Sequence, residues 1–139
     1  MPDAPANPAR FSLPRLLLPL LGAFGIAALW VLVALYLDRT ASALALLAAL
    51  DLVLMVRLAR LPPGALRGAI AAGGTALAIL VALWWMSAAR VGLLMGMMPW
   101  EGIGLMGPGF AWTLARLAND GRDLAIYLAA IALAGWWGR

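Results

Sequence analysis

The sequence predicts an all-α, polytopic integral membrane protein: a small four-helix transmembrane bundle with an irregular interfacial or re-entrant segment between helices 3 and 4. Three observations predict it. The 139 residues are 65% hydrophobic and only 12% charged, whereas about a quarter of the residues in a soluble domain are charged. The apolar residues fall into four runs near the roughly 20 residues that a bilayer span needs. Arginines and aromatic residues gather at the ends of those runs, where a helix meets the lipid interfaces. In water, one small core would leave roughly 30% of the unfolded surface exposed, too much for a mean hydropathy of +0.97.

Residues 1–13 open with Pro2, Pro5 and Pro8 among Ala, Asp and Asn, a composition that buries nothing and reads as a mobile cytoplasmic tail. Residues 14–139 form a single transmembrane domain. The first helix is expected over 16–37. Its 22 apolar residues exceed the 7 to 15 of a signal-peptide core, so it reads as a retained span. Pro14 and Pro19 fall near its start, where a missing donor is tolerated. Asp38, Arg39 and Thr40 make a turn. The second helix, expected over 41–61, carries Asp51 near its centre, with Arg57 and Arg60 placed to snorkel to headgroups. Pro62, Pro63 and Gly64 break the chain.

The third helix, over 66–89, is bounded by Arg67 at one end and by Trp84, Trp85 and Arg90 at the other. The interfacial segment covers about 91–118. It holds six glycines and two prolines, costing about 1 and 3 kcal/mol each relative to Ala inside a helix, so only short helices are expected there, one opened by Pro99 and one from Phe110 to Ala118. The fourth helix, over 121–138, begins at Asp120 and Asp123, acids suited to a helix N-terminus. Its apolar part, Leu124 to Gly138, is about 22 Å long against a hydrocarbon core of about 30 Å. Tyr127, Trp136 and Trp137 are expected to help it at the interfaces.

With four spans, Arg10, Arg15, Arg57, Arg60, Arg67 and Arg139 share one side, and Arg39, Arg90, Arg116 and Arg122 the other. The positive-inside rule makes the first side cytoplasmic. The expected localisation is the bacterial inner membrane, multi-pass, with both termini cytoplasmic.

Composition also narrows function. The chain has no Cys and no His, which excludes disulfides, thiolate nucleophiles, Cys/His zinc sites and haem ligation through His. No catalytic, cofactor-binding or metal-ligating residue is assigned, and no cofactor is expected. The arginines flank apolar runs without forming a continuous basic face, so nucleic acid is not an expected partner. Met86, Met95, Met97, Met98 and Met106 read as adaptable apolar filler.

Four residues are candidates for function. Asp51 lies about 16 Å from Thr40 along its helix and Thr75 about 13 Å from Leu66 along the next, so the two match in height on antiparallel neighbours and a hydrogen bond between them is expected. An acid at that depth costs roughly 2.5 to 3.5 kcal/mol. It serves either as interhelical glue worth about 1 kcal/mol or as a proton or cation site. Trp100 and Glu101, between glycine-rich stretches, are candidates for contacts with a partner or an aqueous vestibule; a solvated loop charge is the plainer reading of Glu101. Gly68, Ala72 and Ala76 recur every four residues, a spacing that lets helices approach closely within the chain or across to a partner. The expected partners are the lipid bilayer and either a membrane protein or further copies of the chain. The function that best fits is a noncatalytic accessory, assembly or structural membrane component; the alternative is a small homo-oligomeric transporter or channel subunit using Asp51.

Overall fold

Helices form where the apolar runs lie. The computed structural model describes residues 13–38 and 41–139. The tail expected over 1–13 therefore falls, except for Leu13, outside the described residues, as do Arg39 and Thr40 of the first turn. The described residues contain five α-helices and no strand: α1 (Leu13–Leu37), α2 (Leu44–Leu58), α3 (Ala65–Leu94), α4 (Pro108–Ala118) and α5 (Gly121–Trp137), with a 3-10 turn at Glu101–Leu105 before α4. Two of them, α1 and α3, are long and apolar enough to cross a membrane.

Local chemistry sets the helix ends. Ala41 takes a left-handed φ of 48°, so α2 starts only at Leu44. At the other end Arg60 occupies the left-handed position at φ 54°. Its amide donates to the Arg57 carbonyl at 3.0 Å and the Leu61 amide to the Val56 carbonyl at 3.4 Å, the paired bonds of a Schellman stop. Buried Leu61 seals the stop and Pro62 prevents continuation. As a result α2 has 15 residues, about 22 Å of helix, against the 21 expected over 41–61. The start of α5 follows the sequence closely. Asp120 accepts from the amides of Arg122 and Asp123, and Asp123 accepts from the Asp120 amide, a reciprocal cap worth about 1 kcal/mol.

Packing is organised around α3, which touches every other described element. Its 30 residues extend about 45 Å, five residues past the expected boundary at 89, because Arg90 to Leu94 continue the helix to a cap at Met95. Helices α1 and α5 lie on opposite sides of the α2–α3 pair and share no backbone contact. Only side chains bridge them: the Trp30 and Tyr127 rings are 5.8 Å apart at 57°. The interior is filled by small residues, including Ala23, Ala27, Ala34, Ala45, Ala48, Ala71, Ala78, Ala82 and Ala130, while Leu17, Leu21, Leu29, Leu32, Leu47, Leu54 and Leu128 point outward. Small residues inside bring backbones close enough for dispersion contacts to hold the helices together.

Arginines tie three helix ends together. The Arg57 guanidinium donates to the Trp137 carbonyl at 3.0 Å, and the Arg67 guanidinium donates to the Gly138 carbonyl at 2.6 Å and to that of Arg139. The end of α2, the start of α3 and the end of α5 therefore meet, with cations placed where the α5 dipole and its unpaired carbonyls favour them.

Candidate functional site

Asp51 stands in the middle of α2 and faces the α1–α2 seam. Its Oδ2 atom is buried with no hydrogen-bond partner among the described residues, 3.1 Å from the point where a Cβ on Gly22 would lie. The absent side chain at Gly22 makes room for the carboxylate, and Met55, one turn further along α2, lines the same spot.

The expected hydrogen bond to Thr75 is not formed. Thr75 is fully buried on α3 and its hydroxyl donates to the Ala71 carbonyl of its own helix at 2.8 Å. The reason is rotational. Successive residues on a helix point about 100° apart, and Leu52, the neighbour of Asp51, takes the side facing α3, where its Cδ1 lies 2.6 Å from the Cβ position of Gly74. Depth along the two helices matched, but azimuth did not. Thr75 is thereby a satisfied core hydroxyl, and Asp51 is the polar group left over.

Trp100 and Glu101 lie at the opposite end of α3 from the arginine tie, on the segment that follows it. The Met97 amide turns back to the Gly92 carbonyl at 2.8 Å, and the Glu101 carboxylate accepts from the Met98 amide at 2.7 Å. Glu101 thus caps the turn in which it sits. The 3-10 turn packs on α3 through Gly102: a Cβ there would sit 2.1 Å from the Ala88 carbonyl oxygen, so only glycine permits this approach. Beneath the turn, Ala88, Met106 and Ala111 form a small separate core. Trp100 takes no part in it and is 67% exposed; Leu94, Met95 and Met98, which precede it in the chain, are exposed as well. The two candidate regions are not brought together.

Two aromatic expectations separate in the structure. Trp84, Trp100, Trp112, Trp136 and Trp137 face outward, whereas Tyr127, expected at an interface, is buried against Trp30 with its hydroxyl donating to the Asn119 side-chain oxygen. That bond, joining the end of α4 to α5, and the arginine tie went unread in the sequence. The short last helix with no basic residue in its final turn was the available signal for the tie, since its carbonyls needed donors from elsewhere. No protein-family model, characterised protein or solved structure matches the chain.

Proposed function

We propose that the chain is a noncatalytic accessory or assembly component of a bacterial inner membrane, crossing it four times through α1, α2, α3 and α5, with the arginine-tied end and both termini on the cytoplasmic side. Outward leucines around an alanine-rich interior suit lipid as solvent, because helices in lipid associate through close packing of small residues and not by hiding their leucines. The 15 residues of α2 and 17 of α5 give about 22 and 26 Å, lengths a bilayer accommodates by local thinning and by snorkelling of Arg57 and Arg60.

The observation that carries the accessory role is Trp100. It is 67% exposed, just before a turn anchored on α3 by Gly102, and is a residue type enriched where partners bind most tightly. Native mass spectrometry of the chain extracted in mild detergent from its own membrane tests this. A stoichiometric partner is expected, and Trp100→Ala is expected to weaken its retention by about thirtyfold, a loss of about 2 kcal/mol typical of a buried aromatic anchor, with unchanged thermal unfolding. Finding neither a partner nor a multimer would falsify the role.

A second reading rests on the buried Oδ2 of Asp51, which has no hydrogen-bond partner among the described residues. In a homo-oligomer it becomes a proton or cation site, since unpaired acids at membrane depth commonly mark ion pathways. Proton or cation flux into liposomes carrying the purified chain is then expected to drop at least about tenfold in Asp51→Asn. Equal flux in the two proteins eliminates this reading. If Asp51 is only structural, Asp51→Asn leaves assembly intact, since the amide keeps the shape without the charge.

A further inference from the structure

Where α4 packs against the end of α3, the two helices leave a cleft of about 210 Å³. That is smaller than the roughly 300 to 1,000 Å³ of a small-molecule pocket, so it admits part of a chain and not a whole ligand. Leu83 and Met86 of α3 and Leu114 of α4 supply its apolar wall, and Ser87, Arg90 and Asn119 are its polar residues. Two of these three are already engaged. The Ser87 hydroxyl donates to the Leu83 carbonyl at 2.9 Å, and the Asn119 amide donates to the Ala115 carbonyl at 2.7 Å while its oxygen accepts from Tyr127. Arg90 makes neither a hydrogen bond nor an ion pair among the described residues, and it is only partly exposed.

Position adds a second argument. Arg90 follows Arg67 by 23 residues on one unbroken helix, about 34 Å, close to the thickness of a hydrocarbon core. With Arg67 at one headgroup level, Arg90 falls at the other. Met86 and Leu83 then descend about 6 and 10 Å toward the bilayer interior. An unpaired cation at headgroup height above an apolar wall that runs inward is complementary to an anionic amphiphile.

We propose that this cleft holds one anionic phospholipid, its phosphate on Arg90 and the upper part of an acyl chain between α3 and α4 along Leu83, Met86 and Leu114. This rests on the membrane-spanning reading above, and fractionation separates the two. A chain recovered in the soluble fraction overturns both; a chain that fractionates with membranes and shows no selective lipid overturns the lipid site alone.

The test is native mass spectrometry of the full chain in detergent, delipidated and then titrated with phosphatidylglycerol, phosphatidylcholine or inorganic phosphate. One phosphatidylglycerol is expected to bind about fivefold more tightly than phosphatidylcholine, the preference one cation supplies near a lipid surface. Arg90→Gln is expected to abolish that preference and Arg90→Lys to retain it, and Ala115→Phe, which fills the cleft, to block both lipids. Unfolding curves for each variant establish that the fold is intact, and Ala115→Phe keeps the proposal falsifiable if Arg90→Gln does not fold. Headgroup preference unchanged in Arg90→Gln, lipid binding unchanged in Ala115→Phe, or displacement of the lipid by millimolar phosphate alone would each overturn the site.

Discussion

Trp30→Ala is expected to destabilise the chain by about 3 to 5 kcal/mol, the usual cost of removing a buried Trp or Phe. Trp30 is 0% exposed and is among the largest fully buried side chains. Its neighbours in the core include Ala27, Ala34, Ala45 and Ala130, which have no rotamers with which to fill the space, so the cavity stays open and the lost dispersion contacts are not recovered. The loss also weakens the link between α1 and α5, which share no backbone contact and whose Trp30 and Tyr127 rings meet. Reversible unfolding in detergent, followed by the signals of the other tryptophans, measures it. Trp30→Phe is expected to lose less, since it keeps an aromatic edge against Tyr127. A loss under about 1 kcal/mol for Trp30→Ala would mean the core repacks and that this contact does not hold α1 and α5 in register.

Gly68→Ala and Gly73→Ala are expected to shift stability in opposite directions, although both sit on α3 and carry the same chemical change. A Cβ on Gly68 would lie 2.5 Å from the Gly135 carbonyl oxygen and 3.1 Å from Arg139 Cγ. The nearer obstacle is backbone, so α3 and α5 must separate by close to an ångström. That strain costs about 1 to 3 kcal/mol, and it pulls the adjacent Arg67 away from the carbonyls of Gly138 and Arg139 that it closes. A Cβ on Gly73 meets nothing within 4 Å. There alanine restricts the unfolded chain and suits the helix, a gain of up to about 1 kcal/mol. Thermal unfolding of the two variants, side by side, tests the α3–α5 contact independently of any function. Equal shifts would show that the two helices do not approach this closely in the protein.

These residues also show how far the sequence could be read. The glycine and alanine row at Gly68, Ala72 and Ala76 signalled a close helix contact, but it did not say with what. The structure assigns its first turns to α5 within the chain, where Gly68 and Ala72 meet Gly135. The breaker at Pro62 to Gly64 and the acids at Asp120 and Asp123 were legible because each acts on backbone within three or four residues of itself. The 91–118 segment was legible as irregular but not in detail: its glycines read as helix breakers, and Gly102 proves to be a contact point on Ala88. Glu101, a candidate for partner contact, spends its carboxylate on the Met98 amide.

By itself, then, the sequence determined that the described chain is helical and where its main breaks fall; of the four spans it predicted, two helices, α1 and α3, are long and apolar enough to cross a membrane. Those properties depend on local backbone chemistry and on summed hydropathy, and neither needs a partner in space. Only the tertiary structure decided which way each helix is turned about its axis: Asp51 toward Gly22 and not Thr75, Tyr127 inward against Trp30, Arg57 and Arg67 onto the end of α5. A helix apolar on all sides has no periodic face to read, so its rotation is set by where neighbouring backbones come closest, and that depends on pairs of residues far apart in the chain.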